Sequence, residues 1–213
     1  MSIITSIEPQ KHGEKRVNVF LDGKFAFSLL KKLVGQMHLV EGLEISPGQV
    51  ETYSRLDSLS NCLAAAERLL SYRPRSEAEM RSRLTRLNYE KEFIEQAVIR
   101  LKEMGLLDDA SFARYWVENR ASFSPRSRQL LSAELRHKGV DTEIIREVVS
   151  SADESEDAYR AAQKKVKTLH GYDYQTFRRK LMSYLQRRGF GYGITKEVTE
   201  RLWHELQARE FTF

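Results

Sequence analysis

The stretch RPRSEAEM, residues 73–80, has a near copy fifty-one residues later, where residues 124–131 read SPRSRQLL. Both copies place Pro-Arg-Ser in front of a helical pattern of apolar residues. Ser76 and Glu79 stand three residues apart, which is the spacing of a capping box that begins a helix. The repeated tripeptide indicates that one helical unit occurs more than once in the chain.

A ladder of matched positions extends the repeat beyond the tripeptide. A shift of 51 residues places the first copy on the second, and a further shift of 50 places the second on a third. The matched sets are Met80, Leu131 and Leu181; Leu84, Leu135 and Leu185; Asn88, Gly139 and Gly189; Tyr89, Val140 and Phe190; and Phe93, Ile144 and Ile194. The chain therefore contains an internal repeat with a period of about fifty residues.

Each copy contains three predicted helices. The second helix ends near Asn88, Gly139 or Gly189, because asparagine and glycine tolerate the left-handed conformation that closes a helix. Val140 and Ile145 form a hydrophobic staple around the start of the third helix. One such unit buries little apolar surface alone, so we expect the copies to stack. The sequence predicts a mainly α fold of three tandem three-helix repeats in an elongated, curved array.

The first part of the chain has a period of two instead of a helical period. Apolar residues alternate through RVNVFLDGKFAFSLL, residues 16–30, on both sides of Asp22-Gly23, which is typical of a β-hairpin. Residues 3–7 supply a third strand, and residues 30–36 a short helix. We predict a small N-terminal antiparallel β segment.

Two turns can join the strands of this hairpin. A two-residue turn at Asp22-Gly23 pairs Phe20 with Phe25 and sets the two apolar rows on opposite faces. A three-residue loop with Gly23 in the left-handed conformation sets both rows on one buried face, so we prefer this loop. It predicts the cross-strand pairs Val19 with Phe25 and Val17 with Phe27.

The period becomes helical from Ser46 onward. Ser46 is a predicted N-cap, Pro47 the first helical residue and Gln49 the partner in a capping box, so a long helix should run from about Pro47 to Tyr72. The predicted domains are the β segment at 1–46 and three repeats at 47–108, 109–153 and 154–213.

Composition narrows the class of protein. The chain has 213 residues, of which 41% are hydrophobic, and this is enough to bury cores. Cys62 is the single cysteine, no apolar run is long enough to cross a bilayer, and the N-terminus lacks the pattern of a signal peptide. We expect a cytoplasmic protein that does not associate with membranes.

The formal net charge of +5 is distributed unevenly. Residues 1–50 carry +1, residues 51–108 and 109–153 are balanced, and residues 154–213 carry +4. The last repeat is therefore the part of the chain best suited to contact a polyanion or an acidic protein surface.

Motifs that resemble catalytic sites have structural interpretations. Asp108-Asp109 precedes a helical pattern, so we assign it to helix capping. We assign Asp22-Gly23-Lys24 to the turn of the hairpin. The five histidines lack zinc-ligand spacing, and Gly189-Phe190-Gly191-Tyr192-Gly193 has no strand before it to form a phosphate loop. Tyr115, Trp116 and Trp203 are predicted core residues. We predict no catalytic residue, no metal site and no cofactor.

The chain resembles the RecX family of recombination regulators. The resemblance covers roughly residue 64 to the C-terminus, and the β segment resembles an extension found in part of the family. It is carried by Tyr72-Arg73-Pro74-Arg75-Ser76, by Gly105-Leu106-Leu107-Asp108-Asp109 followed by Phe112-Ala113, by Glu134-Leu135-Arg136-His137-Lys138-Gly139-Val140, and by Tyr184-Leu185-Gln186-Arg187-Arg188-Gly189-Phe190.

The resemblance implies a function. It implies three tandem three-helix modules that lie in the groove of the RecA recombinase filament and suppress its ATPase and strand-exchange activities, with a role in DNA repair, recombination and the SOS response. On this interpretation the protein is a monomeric, non-enzymatic regulator. The alternative is a basic helical DNA-binding protein that acts without a recombinase and contacts single- or double-stranded DNA through the basic C-terminal repeat.

Nine basic residues are the candidate contacts to a partner or to DNA. Arginines at repeated places can meet acidic protein or phosphate at regular intervals. The competing interpretation is a solvated helix face with local ion pairs, or, for Arg75 and Arg126, a role at the start of a helix. Gln186 and Tyr192 are weaker candidates. The nine are Arg73, Arg75, Arg126, Arg128, Arg178, Arg179, Lys180, Arg187 and Arg188.

Overall fold

The computed structural model describes residues 1–10 and 13–210. This part of the chain contains four strands and ten helices. The strands are β1 (Ser2–Gln10), β2 (Gly13–Leu21), β3 (Lys24–Leu30) and β4 (Glu44–Ile45). The helices are α1 (Lys31–Gln36), α2 (Pro47–Tyr72), α3 (Glu77–Arg86), α4 (Lys91–Glu103), α5 (Asp109–Phe123), α6 (Arg128–His137), α7 (Thr142–Ser150), α8 (Glu154–Val166), α9 (Tyr174–Gln186) and α10 (Tyr192–Glu210).

The chain divides into two compact units. The first combines Met1–Arg73 with Met80–Leu107, and the second combines Pro74–Glu79 with the chain from Asp108 onward. The fold is mainly α, with three three-helix domains formed by α2–α4, α5–α7 and α8–α10 and a small antiparallel sheet at the N-terminus. The predicted fold class is confirmed, whereas the elongated, curved arrangement and the four domain boundaries stay predictions.

The first unit begins with a sheet in the order β3-β2-β1-β4. Strand β1 is the predicted third strand, and α1 is the predicted short helix. Strand β4 was not predicted: it pairs Ile45 with Ser2 and Glu44 with Ile3. Two residues are too few to show a period of two, so the sequence pattern gave no signal for β4.

The hairpin turn differs from the prediction. Asp22 and Gly23 both have positive φ, at 48° and 76°, and Phe20 pairs with Phe25. This is a two-residue turn, so the predicted three-residue loop and its pair Val19 with Phe25 were wrong. Two residues with positive φ match the twist of the strands, and Asp-Gly is a sequence that tolerates them.

A β-bulge allows the hairpin to combine a two-residue turn with a single buried apolar face. The register shifts after the pair of Phe20 with Phe25, so that Val19 pairs with Phe27 and Ala26 is the extra residue. Val17 consequently pairs with Leu29, and the predicted pair with Phe27 was also wrong. Val17, Val19, Phe27 and Leu29 are all buried, which confirms the single buried face.

Helix α2 begins and ends where it was predicted. The Ser46 hydroxyl accepts a hydrogen bond from the Gln49 N–H at 3.3 Å, and the Gln49 side chain accepts one from the Ser46 N–H at 2.9 Å. Tyr53 of α2 packs against Phe27 of the sheet, with ring centroids 5.5 Å apart. The first three-helix domain buries Cys62, Ala66, Met80, Leu84, Phe93, Ile94, Ala97, Val98, Leu101 and Leu107.

The second unit holds the cores of the other two helical domains. The α5–α7 core buries Phe112, Ala113, Val117, Leu131, Leu135, Val140, Ile145, Val148 and Val149. The α8–α10 core buries Ala158, Ala161, Ala162, Val166, Leu169, Phe177, Leu181, Leu185, Phe190, Val198 and Leu202. Gly139 and Gly189 have φ of 76° and 85°, and Val140 and Ile145 share the second core, as predicted.

The two Pro-Arg-Ser serines make corresponding contacts within this unit. The Ser76 hydroxyl donates a hydrogen bond to the Lys138 carbonyl at 2.5 Å, and it also accepts one from the Glu79 N–H at 3.1 Å. Fifty-one residues later, the Ser127 N–H donates to the Arg188 carbonyl at 3.0 Å. Each serine therefore contacts the residue that precedes a helix-ending glycine, and the role that the two side chains share is capping: the Ser127 hydroxyl accepts from the Leu130 N–H at 3.2 Å.

Candidate functional site

Helix α9 is held in place from one side. The Asp173 carboxylate caps it by accepting a hydrogen bond from the Thr176 N–H at 3.0 Å, and this bond lowers the pKa of Asp173. Phe177, Leu181 and Leu185 of α9 are fully buried in the core of the last domain. Because the buried face fixes the position of α9, the basic residues of the helix are held on a rigid element.

Two of the predicted arginines share one surface. Arg178 and Arg179 lie on one open surface of α9 together with Gln186, Met182 and the N-cap residue Asp173. Neither arginine forms a salt bridge with any carboxylate in the part of the chain that the structure describes. Their charges are available to an anionic partner.

Lys180 and Arg187 have local partners that leave their charges in place. The Lys180 ammonium lies 3.7 Å from the centre of the Tyr172 ring, and its hydrogen bond lowers the pKa of the Tyr172 hydroxyl. Arg187 is exposed and donates to the Ser183 hydroxyl at 2.6 Å. An aromatic ring and a hydroxyl orient a cation without neutralising it.

Arg188 is the third-domain counterpart of Lys138. Lys138 forms a salt bridge with Glu79 at 2.8 Å, but the position that matches Glu79 in the next copy is Leu130. The Arg188 guanidinium instead stacks on Tyr184 at 4.1 Å, and its buried Nε has no acceptor among the described residues. The charge that Glu79 neutralises on Lys138 is therefore left unneutralised on Arg188.

Arg126 has an internal partner. Its guanidinium forms a salt bridge with Glu134 at 2.6 Å. The same carboxylate, 15% exposed, accepts hydrogen bonds from Arg120 at 2.9 Å and from the Trp116 indole at 2.8 Å. A carboxylate with three donors holds α5 and α6 together, so the geometry gives Arg126 a structural role.

The other three predicted arginines lie near helix ends. Arg128 donates from Nε and Nη2 to the Ala152 carbonyl, at 2.9 and 2.5 Å, just beyond the end of α7. Arg73 is the C-cap of α2 and is half-buried, and Arg75 is 9% exposed. The structure therefore gathers five of the nine candidates on α9 and the turn after it, and places the other four elsewhere.

The predicted aromatic core is confirmed for both tryptophans. Trp116 packs against Phe112 and Trp203 against Phe177, with ring centroids 6.0 and 5.1 Å apart. Tyr115 is 37% exposed and lies outside the core, so its prediction was wrong. Tyr115 lies between the buried residues Ala113 and Val117 along the chain but on a different face of the helix.

The paired aspartates cap two different helices. Asp108 caps α5, as predicted, by accepting hydrogen bonds from the N–H groups of Ser111 at 2.9 Å and Ala110 at 3.2 Å. Hydrogen bonds from Ser111 are the main cause of its lowered pKa. Asp109 accepts from the Glu77 N–H at 2.8 Å and so caps α3. No cluster of three or more potential metal ligands occurs in the described residues.

In the described part of the chain, no helix combines the length and the apolar character that crossing a membrane requires.

Comparison with known proteins identifies the family. Family models named regulatory protein RecX N-terminal domain and RecX first, second and third three-helix domain match residues 2–46, 62–101, 108–149 and 152–199. The regulatory protein RecX of Clostridium botulinum (strain Alaska E43 / Type E3) is 31% identical over 94% of this chain and 96% of its own. The chain belongs to the RecX family.

Other RecX proteins agree with this assignment. The regulatory protein RecX of Lactobacillus johnsonii is 29% identical over 99% of this chain and 78% of its own. A crystal structure of regulatory protein RecX, 23% identical, has a TM-score of 0.71 and covers 94% of this chain and 100% of its own. A second, of RecX from Lactobacillus salivarius, has a TM-score of 0.58 over 68% and 97%. These two structures support the fold.

Two structural features of this RecX family member were not predicted from its sequence. Asp109 caps a helix that begins thirty-two residues earlier, and such a contact leaves no local pattern. Glu134 collects three donors from α5 and the Pro-Arg-Ser segment. An acidic residue among the apolar positions of α6 was a usable signal, because buried carboxylates require partners.

Proposed function

We propose that this RecX family member binds the RecA filament on DNA and inhibits its ATPase, strand-exchange and recombination activities. The observation that carries the proposal is the set of five cations on α9 and its following turn, none of which has a carboxylate partner among the described residues. The similar proteins are named regulatory proteins, which supports a regulator that is not an enzyme.

The charge pattern concentrates contact with an anionic partner in the last domain. The last domain carries the excess positive charge of the chain, and Arg126 of the preceding domain is neutralised internally. One basic helix supplies modest contacts, and affinity rises when several such contacts act together along a regular partner. The proposal includes a monomeric protein in the cytoplasm, where a DNA-bound filament is found.

Direct binding to DNA is the second candidate function. Exposed guanidinium groups such as those of Arg179 and Arg187 bind phosphates bidentately, and both lie on α9 or directly after it. Binding that depends on phosphates alone weakens steeply as the salt concentration rises. Salt dependence therefore separates the two functions.

The test is inhibition of RecA ATP hydrolysis on single-stranded DNA. The wild-type protein should inhibit at substoichiometric ratios. Charge reversal by Arg179→Glu together with Arg187→Glu should raise the concentration for half-maximal inhibition about tenfold or more, the effect of losing about 1.4 kcal/mol of binding free energy. Both side chains are exposed, so the helical circular dichroism should stay unchanged.

The control reverses charge on a different domain. Arg146 on α7 is highly exposed and pairs only locally with Glu143 at 2.8 Å. The Arg146→Glu variant should inhibit as the wild type does. Equal inhibition by the double α9 variant and the wild type, or no inhibition at any ratio, would contradict the proposal.

A further inference from the structure

A second basic surface lies away from α9, in a cavity of about 540 Å³. Its walls come from the end of α5, from α8 and the turn after it, and from α10. None of its lining residues belongs to α9, so it is separate from the site described above. Three cations, Arg160, Lys164 and Lys167, and three apolar residues, Val166, Leu202 and Leu206, form most of the lining.

Two of the cations keep their full charge. The Lys164 ammonium donates to the carbonyls of Ser122 and Phe123, both at 3.1 Å. These acceptors are neutral, so they position the ammonium at the cavity without removing its charge. Lys167 is exposed and forms no salt bridge with the residues that the structure describes.

The acidic residues nearby are already paired. Arg160 binds the buried Asp157 at 2.6 Å. Glu205, the acidic member of the lining, accepts hydrogen bonds from the Tyr159 hydroxyl at 2.8 Å and from Arg201 at 3.0 Å. The cavity therefore has a net positive charge that these carboxylates do not cancel.

The floor of the cavity is apolar. Val166 and Leu202 are buried, and Leu206 is half-buried beside them. None of the described lining residues is a phenylalanine, tyrosine or tryptophan, and His170 is the one ring among them, so the cavity is poorer in stacking surface than in aliphatic surface. Cations around an aliphatic floor complement a ligand that carries carboxylates on both sides of an apolar side chain.

We propose that this cavity binds an acidic peptide segment of a partner protein. An aliphatic side chain of the peptide occupies the floor formed by Val166, Leu202 and Leu206. Flanking glutamate or aspartate carboxylates pair with Lys164 and Lys167. Nucleic acid is the competing occupant, and it would use the cations while leaving the floor empty.

Fluorescence anisotropy with labelled probes tests the proposal on the full-length protein. The probes are a peptide that alternates glutamate with leucine, a twin in which serine replaces every leucine, and an oligothymidylate of matched charge. The leucine peptide should bind about tenfold more tightly than its serine twin, because the cavity removes the leucine side chain from water. It should also bind more tightly than the oligothymidylate.

Three variants connect binding to the cavity. Lys167→Glu should weaken binding of the leucine peptide about tenfold. Lys167→Gln should weaken it less, because glutamine removes the positive charge without adding a negative one. Leu206→Ser should weaken binding of the leucine peptide but not of the serine twin. Arg146→Glu, an equal charge reversal on α7, should leave both affinities unchanged.

Three other outcomes would contradict the proposal that the cavity binds an acidic peptide. Failure of the leucine peptide to bind, equal binding of the two peptides, or insensitivity to the Lys167 variants would overturn the proposal. Tightest binding of the oligothymidylate would assign the cations to nucleic acid. No residue of α9 lines the cavity, so these experiments do not test the proposed inhibition of RecA. The ATPase assay tests that proposal separately.

Discussion

Gly189 lies where α9 meets the preceding domain, and its φ is 85°. A Cβ at this position would overlap the Ser127 hydroxyl oxygen and crowd the Leu130 side chain. Gly189→Ala should therefore combine the cost of a left-handed alanine with that of overpacking and lower the free energy of unfolding by about 2–4 kcal/mol. Urea unfolding followed by circular dichroism measures this change.

Gly171 supplies the matched control. Its φ is 81°, yet a Cβ there would meet nothing within 4 Å. Gly171→Ala should carry only the backbone cost of about 1 kcal/mol. Equal losses for the two variants would show that the close approach at Gly189 contributes nothing.

At the scale of the element, the cap of α5 has a predictable pH dependence. Hydrogen bonds lower the pKa of Asp108 in the folded protein below its value of about 3.9 in the unfolded chain. The resulting stability is present above that unfolded value and is lost as the pH falls through the folded value. Asp108 is exposed, so the contribution should be below about 1 kcal/mol.

The measurement compares wild type with Asp108→Asn. Asparagine keeps an N-cap acceptor but does not titrate. The stability advantage of the wild type at neutral pH should shrink between about pH 5 and pH 2 in urea unfolding experiments. An advantage that stays constant or grows on acidification would contradict the assigned cause of the pKa shift.

The predictability of the elements follows from the range of the interactions that define them. Capping and helical period are local, which is why Pro47–Tyr72 was predicted with its boundaries. The bulge at Ala26 arises because an Asp-Gly turn and a one-sided apolar face conflict, and only the folded sheet shows which residue is displaced. The capping of α3 by Asp109 depends on a distant segment and was not predictable.

At the scale of the molecule, the internal repeat determines which residues surround the candidate site. Within the second unit, each Pro-Arg-Ser serine contacts the residue before a helix-ending glycine, Gly139 or Gly189. The salt bridge of Lys138 with Glu79 does not recur, since Leu130 occupies the matching position. The residues that the repeats share therefore have structural roles. The charge of Arg188 is unneutralised because Arg188 lacks the acidic partner that Lys138 has.

The sequence predicted part of the candidate site. The cluster on α9 was visible as a concentration of basic residues, and the structure shows that these lack carboxylate partners among the described residues. Arg126 belonged to the same prediction, but Glu134 approaches it from α6. Which cations are neutralised depends on tertiary contacts, and the order of residues alone does not reveal them.

Co-sedimentation at increasing salt concentration tests the central claim most directly. The protein is mixed with RecA filaments on single-stranded DNA and, separately, with the same DNA alone. We predict that binding to the bare DNA disappears at a salt concentration at which the filament still retains the protein, because protein contacts persist when phosphate contacts are screened. Loss of both at the same salt concentration, or tighter binding to bare DNA than to the filament, would contradict the account.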